Sequence, residues 1–181
     1  MRKQSNSIII ENKRMRLTLR EDGVAQSLIS LATNEECLDQ NELVPMFSLT
    51  EERPFNNEIK LAHPNKRMTF GATHVECEDD ILTISFELVR FKASVRVVER
   101  DDYITFELVD FPMDDAAFGN LWMDRPPVAS FRLVQLPIRK RTKFGNWLNV
   151  VSDDTVAIGV LGTSPYESID AHEQKGAMVL T

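Results

Sequence analysis

The sequence predicts an all-β protein, an antiparallel β-sandwich with at most one or two short helical turns. Apolar and polar residues alternate with a period of two along most of the chain. The alternating runs recur at intervals of roughly ten residues, with Asp, Asn, Gly or Pro between them. The one candidate helical turn is the short stretch MDDAAFGN (113–120). Because consecutive strands without crossover helices pair antiparallel, a sandwich or a barrel is expected.

The first clear strand is RMRLTLRED (14–22), where Met15, Leu17 and Leu19 alternate with arginine and threonine. A turn at 21–23 (EDG) separates it from VAQSLISL (24–31). The same pattern continues in MFSLTEE, KRMTFGATHVEC, ILTISFEL, KASVRVVER, YITFELVDF, ASFRLVQLPI, NWLNVVS, TVAIGVLG and AMVLT. The chain shows no tandem repeat and no Pro/Gly/Ser-rich linker, so residues 1–181 are expected to form a single β-sandwich domain.

Four Asp-Asp pairs raise the question of acid chemistry, since paired carboxylates serve both glycosidases and metal sites. The pairs at 79–80, 101–102 and 153–154 stand between two alternating runs. Asp tolerates left-handed backbone angles and hydrogen-bonds its own turn, so we interpret these three as turns. Asp114-Asp115 begins a less regular segment. We keep two interpretations of this pair, a turn and part of a functional loop.

Composition and charge limit the function classes. Of the 181 residues, 43% are hydrophobic and 27% charged, which is typical of globular proteins. A net charge of -7 and a pI near 5.0 argue against a nucleic-acid or anionic-membrane partner. No apolar run approaches the ~20 residues that cross a bilayer. Cys37 and Cys77 are either two reduced thiols or one bridge, and buried thiols are our expectation.

The two ends of the sequence carry different signals. The opening MRKQSNSIIIENKRMRL has only three consecutive apolar residues and is not a signal peptide. The location therefore stays open: periplasmic or extracellular if a signal was removed, cytoplasmic otherwise. The chain ends in GAMVLT, an apolar run with no polar tail. Natural termini are usually polar, so we expect the N-terminal part of a longer protein.

The sequence predicts no cofactor and no metal. The three histidines are isolated: His63 in a predicted turn, His74 in a predicted strand and His172 in a predicted polar connector (DAHEQ). They lack HxH or HExxH spacing, and the chain has no Gly-rich phosphate loop and no GxSxG elbow. The basic stretch IRKRTKFGNW (138–147) superficially resembles a single-stranded nucleic-acid platform, but we interpret it as a solvated loop.

Two aromatic regions are candidates for carbohydrate contact. The segment PMDDAAFGNLWMDRPP (112–127) holds Trp122, Asp124 and Arg125. Trp147 is the last residue of the basic stretch, in which Arg139, Arg141 or Asn146 are placed to supply hydrogen bonds to a sugar. A flat apolar face with a few polar groups is what a carbohydrate site uses. The alternative is that Phe118 with Trp122, and Trp147 separately, pack onto the sheet as core anchors.

The opening IIIENKRMRLTLREDGVAQSLISLATNEECL resembles the first strands of the galactose mutarotase-like supersandwich domains that precede the catalytic domain of many bacterial glycoside hydrolases. Asn12, Gly23 and Thr33-Asn34-Glu35 stand where those domains have an Asn, a Gly turn and a Thr-Asn turn with Glu. The stretch GNWLNVVSDDTVAIGVLGTSPY (145–166) is similar to a substrate-facing edge of such domains. The resemblance implies a supersandwich-like fold whose catalytic carboxylates lie in a following domain.

Three hypotheses follow from these observations. The first is a non-catalytic N-terminal module of a glycoside hydrolase, which packs on a downstream catalytic domain and helps to shape carbohydrate binding. The second is an independent sugar epimerase or lyase, which requires a histidine and a carboxylate to converge on one concave face. The third is a carbohydrate-binding module with an exposed Trp122 or Trp147.

Overall fold

The computed structural model describes residues 1–52, 55–56, 61–62, 66–89, 91–111, 128–145, 148–164, 167–169, 171–174 and 177–181. These residues form an all-β, sandwich-like structure of antiparallel sheets. In chain order the strands are β1 (Arg2–Gln4), β2 (Ser7–Glu11), β3 (Met15–Arg20), β4 (Ala25–Ser30), β5 (Glu35–Glu36), β6 (Ser48–Glu52), β7 (Phe55–Asn56), β8 (Leu61–Ala62), β9 (Arg67–Gly71), β10 (His74–Glu78), β11 (Ile81–Phe86), β12 (Phe91–Glu99), β13 (Ile104–Asp110), β14 (Val128–Arg132), β15 (Leu136–Ile138), β16 (Lys143–Gly145), β17 (Val150–Ser152), β18 (Ala157–Gly159), β19 (Ala171–Gln174) and β20 (Ala177–Leu180).

Two meanders supply most of the core. One is the five-stranded sheet β1–β5 and the other is the four-stranded sheet β10–β13, each with neighbours in sequence paired side by side. Alternate apolar residues of both sheets belong to one core cluster. The inward residues are Ile8, Ile10, Leu17, Leu19, Ala25 and Leu28 from the first sheet, and Val75, Leu82, Ile84, Phe86, Val95 and Val97 from the second. Burying each larger side chain stabilises the fold by about 1.5–3 kcal/mol.

The turns of the first meander are fixed by residues suited to them. The Asn12 side-chain oxygen accepts hydrogen bonds from the backbone N–H groups of Arg14 and Met15, both at 2.9 Å. Gly23 has a φ of 80° between β3 and β4, and Asn34 has a φ of 54° before β5. Gly and Asn accept left-handed backbone angles most readily, so the hairpin registers follow from local sequence.

Ionic contacts tie the two meanders together at one end of the sandwich. Glu99 accepts from the Met1 α-amine at 2.6 Å and from the Glu11 backbone N–H at 2.8 Å. Lys13 and Arg14 pair with Asp101 and Asp102 at 2.6 and 2.7 Å. These last two carboxylates lie in the turn between β12 and β13, as the sequence predicts.

The strands of the C-terminal region, β15–β20, are short, and some of them pair with segments that are far away in sequence. β20 lies between β15 and β19, and all four of its residues are buried. β15 is joined in turn to the first meander by a bridge between Leu38 and Ile138. The backbone N–H of Asp39 donates to Pro137 O at 2.8 Å, and that of Arg139 donates to Cys37 O at 2.9 Å. A second small sheet, β16–β17–β18, completes this region.

The prediction of an all-β antiparallel fold is confirmed, and so are the turns at 79–80, 101–102 and 153–154. Asp114-Asp115 and the candidate helical turn at 113–120 lie outside the described residues. Two long stretches were each predicted to form one strand, and both predictions are wrong. Each stretch contains two strands that belong to different sheets. KRMTFGATHVEC contains β9 and β10, and ASFRLVQLPI contains β14 and β15. A continuous period of two does not show where the chain changes sheet.

Two segments predicted as irregular also form strands. DAHEQ, predicted to be a polar connector, contains β19 (Ala171–Gln174), which pairs with the buried β20. The basic stretch 138–147, predicted to be a loop, contains β16, which pairs with β17. The two strands have only three and four residues, so their own sequences carry little strand signal.

Candidate functional site

The residues predicted to contact carbohydrate, Trp122, Asp124, Arg125 and Trp147, lie outside the described residues. Aromatic side chains anchor the chain on both sides of 112–127. The ring of Phe111 lies 5.4 Å from that of Phe131 and 5.3 Å from that of Phe91, and Phe131 also meets Phe86 edge-on at 5.8 Å. Aromatic pairs at these separations add stability beyond area burial. The two flanks of this segment are therefore held together by the core.

His74 is the histidine whose side chain is described. Its Nε2 lies 3.4 Å from an oxygen of Glu76, two residues along β10, on the face of the sheet opposite the core. The side chains are 41% and 66% exposed, so water screens the pair. Within the described ranges, no group of three or more His, Cys, Asp and Glu residues is placed to hold a metal. His63 lies outside those ranges, and His172 lies on β19.

Two charged residues of the described structure are buried, Glu51 and Arg141, and the side chain of Arg141 is only 3% exposed. Its guanidinium donates to Glu35 at 3.0 Å and to Asp153, and contacts Cys37 Sγ at 3.7 Å. We call Arg141, Glu35, Asp153 and Cys37 the arginine clamp. It joins β5 of the first meander to the turn between β17 and β18. Buried guanidinium groups require such partners, because an unpaired charge is costly to remove from water.

Asp153 also organises its own turn. Its Oδ1 accepts from the Thr155 hydroxyl at 2.6 Å and from the N–H groups of Thr155 and Val156 at 2.8 and 2.9 Å. These hydrogen bonds, the Thr155 hydroxyl first, hold the pKa of Asp153 well below its usual range. Asp153 is thus ionised whenever it faces Arg141 at ordinary pH. The turn prediction for 153–154 is confirmed, while its contact with Arg141 was not expected.

The thiols are reduced, and neither is activated. Cys37 is buried, as expected, and Cys77 is partly exposed. Burial raises the pKa of both thiols, although Arg141 opposes this at Cys37. A raised pKa keeps a thiol protonated and weakly nucleophilic. Cys37 therefore packs against Arg141 within the clamp as a small apolar group.

The structure corrects the suggestion that Arg141 supplies a hydrogen bond to a sugar. Its side chain is buried and paired with two carboxylates, so it is not presented to a ligand. Lys143, in the same basic stretch, pairs with Asp154 at 3.3 Å. The positive charge of this stretch is therefore partly neutralised by its own neighbours. Arg139 is exposed, and Asn146 lies outside the described residues.

A second feature lies at the end of the β16–β18 sheet, around the buried Asn149. The Asn149 side-chain N–H groups donate to the carbonyls of Val160 at 3.0 Å and Thr181 at 3.1 Å. Its backbone is left-handed, with a φ of 48°, and its side-chain oxygen is buried without a hydrogen-bond partner. A buried acceptor left unpaired costs about 1–3 kcal/mol. The unpaired oxygen therefore makes Asn149 an energetically costly position.

Apolar side chains project into solvent directly around Asn149. Leu148 is 67% exposed and Leu161 is 69% exposed, and they flank the Asn149–Val160 backbone pair, which is joined by a 3.2 Å hydrogen bond. Ile169 is 38% exposed, and its Cγ2 lies 3.5 Å from where a Cβ on Gly162 would stand. We call Leu148, Leu161 and Ile169 the leucine edge. Grouped exposed apolar residues mark interaction surfaces more often than single ones do.

The chain was compared with family models and with curated proteins, and neither comparison gives a match. None of the described residues belongs to a helix long and apolar enough to span a membrane.

Sequence reasoning missed the arginine clamp and the leucine edge for different reasons. Arg141 lies among Arg139, Lys140 and Lys143, and nothing in that run distinguishes the buried cation from the exposed ones. The partner Glu35 is 106 residues away. For the leucine edge a signal was present, because Leu148 and Leu161 both interrupt the alternation next to predicted strand ends.

Proposed function

We propose that this chain is a non-catalytic β-sandwich module of a glycoside hydrolase, which packs on a downstream catalytic domain and helps to shape its carbohydrate cleft. The family assignment rests on the resemblance of the first strands. Asn12, Gly23 and Asn34, on which that resemblance depends, take turn conformations suited to it. This supports the resemblance at the level of the fold.

The observation that carries the non-catalytic part of the proposal is how the buried Arg141 is used. Its guanidinium pairs with the partly exposed carboxylates of Glu35 and Asp153 in the arginine clamp, which joins β5 to the turn between β17 and β18. Buried ionisable groups with perturbed pKa values are where catalysis is first sought. Here the pKa of Asp153 is lowered by a turn, which suits a structural carboxylate and not a general acid.

The alternative of a sugar epimerase or lyase has less support. It requires a histidine and a carboxylate in a pocket that positions a substrate. His74 and Glu76 do lie together, but both are exposed on a sheet surface beside the Lys3–Glu21 ion pair. The pair therefore resembles surface charge pairing of little energetic value.

The experiment compares the natural gene product with the chain 1–181 on a panel of chromogenic glycosides and sugar anomers. The proposal expects hydrolysis by a longer product and no turnover by 1–181 alone. Epimerisation, lyase activity or hydrolysis by 1–181 would contradict it. A longer product that turns over no glycoside would contradict the hydrolase assignment.

The role of the tryptophans is tested separately with the variants Trp122→Phe and Trp147→Phe, each of which leaves one indole. If the indoles contact carbohydrate, the remaining one emits at a solvent-exposed wavelength, and oligosaccharides shift that emission and protect it from acrylamide. Asp124→Asn and Arg125→Gln should then weaken binding. Emission typical of a buried indole in both variants would contradict the carbohydrate contact at Trp122 and Trp147.

A further inference from the structure

We infer that β13 is the edge along which two copies of the chain pair, so that their four-stranded sheets join into one. This surface is distinct from the leucine edge, and the inference does not depend on the proposed function. β13 (Ile104–Asp110) is the last strand of the β10–β13 sheet, and within the described residues it pairs only with β12. The edge of a sheet presents unpaired backbone N–H and C=O groups, which are a template for another strand.

The free hydrogen-bonding groups of this edge belong to three apolar residues. The Arg100 N–H donates to Tyr103 O at 2.9 Å, which closes the hairpin between β12 and β13. Residues that bond to the neighbouring strand alternate along an antiparallel pair. The backbone N–H and C=O groups of Ile104, Phe106 and Leu108 therefore point away from β12. A strand of a second copy can donate to them and accept from them.

The same three residues leave apolar surface uncovered. Phe106 lies opposite Val97, which is buried, so the two side chains share the core face of the sheet. Ile104 and Phe106 are only partly buried against the core. Leu108 lies two residues beyond Phe106, on the same face, and is 39% exposed. A strand beside β13 would extend the core face over these residues, and the apolar area buried would favour association.

The occupant is a second copy of the chain, because β13 is complementary to itself. In an antiparallel pair centred on Phe106, Ile104 of each copy faces Leu108 of the other. On the opposite face, Thr105 of each copy faces Glu107 of the other. Each charged side chain therefore meets an uncharged one, and each aliphatic side chain meets another. Like charges directly opposite each other would destabilise the pair.

The neighbouring registers are less favourable, so one arrangement of the two copies is selected. A shift of the pair by one step in one direction places Glu107 opposite Glu107 of the other copy. The opposite shift places Leu108 beside Asp102 in the turn before β13. Val109 is the extra residue of a β-bulge, and a bulge ends regular pairing. The regular pair therefore covers residues 104–108.

The first test measures association of the chain 1–181 by sedimentation equilibrium, which should show a monomer–dimer equilibrium. Thr105→Glu places a carboxylate opposite Glu107 of the other copy twice in each dimer, and should raise the dimer Kd about tenfold. Thr105→Lys should lower the Kd by a similar factor. Thr105→Gln adds a longer side chain without a charge, so it is the matched control and should change the Kd little.

The second test checks the register by disulfide formation in a Cys77→Ser background, since Cys37 is buried and Cys77 is partly exposed. Thr105→Cys and Glu107→Cys chains are mixed under mild oxidation. Their Cα atoms would lie about 4.5 Å apart across the new pair, within reach of a disulfide. Each variant alone should crosslink at least about tenfold more slowly, because its two cysteines would lie about 7–8 Å apart.

Three results would overturn the inference. The first is a chain that stays monomeric at millimolar concentration. The second is a dimer whose Kd is the same with Thr105→Glu, because the copies would then pair through another surface. The third is crosslinking of the mixture that is no faster than that of each cysteine variant alone. If Thr105→Glu fails to fold, as seen by circular dichroism, the cysteine mixture decides by itself.

Discussion

The sheets of residues 2–36 and 74–110 and those of residues 136–180 are built in different ways. In the first region each strand pairs with its neighbour in sequence, and the alternating apolar residues supply a large part of the core. In the second region β15 pairs with β20, Leu38 bridges to Ile138, and a buried arginine meets a glutamate from the first meander. Local pairing needs only pattern and turns, whereas short strands with distant partners need specific polar contacts to fix their place.

From this difference we expect the stability of the first region, residues 2–36 and 74–110, to depend mainly on the volume of its buried apolar side chains. Phe86 is fully buried and meets Phe131 edge-on. Phe86→Ala should lower the free energy of unfolding by about 4 kcal/mol, through lost burial and the cavity left behind. Urea denaturation measures this. Leu88→Ala, two residues along and exposed, is the control and should cost less than about 0.5 kcal/mol. A similar cost for both would contradict the assignment of the core.

The second region should depend on the arginine clamp. Arg141→Ala leaves Glu35 and Asp153 without their cation and should cost about 3 kcal/mol. Hydrogen exchange should show the loss of protection in β16–β18, while β2–β4 stays protected. The exposed Arg139 is the matched control, since Arg139→Ala keeps the backbone hydrogen bond to Cys37. Uniform loss of protection over both regions would contradict the distinction between them.

The turn at Gly23, between β3 and β4, should depend both on local backbone conformation and on a contact with a distant part of the chain. Gly23 has a φ of 80°, and a Cβ there would stand 2.7 Å from Ala72 Cβ. Gly23→Ala should therefore destabilise the protein by about 2 kcal/mol, in thermal or urea unfolding. At Gly145 a Cβ would meet only ordinary contacts, with 3.7 Å to Val150 O the nearest. Gly145→Ala should change stability much less, and equal effects would show that the turn at Gly23 is not strained.

The smallest expected effect is a pH dependence at Asp153. Its pKa in the folded state is lowered, so its contribution to stability is present above the unfolded value of about 3.9 and is lost as pH falls below it. The native protein should therefore exceed Asp153→Asn in stability at pH 7, and the gap should narrow between about pH 5 and pH 2. Urea midpoints at pH 7 and pH 3 measure the gap. Asp154→Asn, at a neighbouring side chain that is 94% exposed, is the control and should change the urea midpoint little.

The same comparison explains what was predictable from the sequence. Strands such as β3, β11 and β12 follow from alternation, and the turns at Gly23 and Asp79 follow from residues that accept positive φ. The change of sheet at Gly71 could not be predicted from the sequence, because the alternation of apolar and polar residues continues across it. At Gly71 a Cβ would stand 2.6 Å from Pro45 Cγ, so this position is constrained by a distant part of the chain.

The candidate site was less predictable than the fold. The burial of Arg141 depends on Glu35 and Asp153 coming together, which is a tertiary event with no local signature. The lowered pKa of Asp153 depends partly on an Asx-type turn that the sequence does suggest, since Asp153 is followed by Thr155 and Val156. The aromatic positions Trp122 and Trp147 stay predictions.

The measurement that tests the central claim most directly is the intact mass of the natural gene product. The proposal that this chain is a docking module of a glycoside hydrolase predicts a product well above 20.7 kDa. Its additional sequence should carry the catalytic carboxylates. A natural product of 20.7 kDa would contradict the docking module and would turn attention to sugar binding by the chain itself.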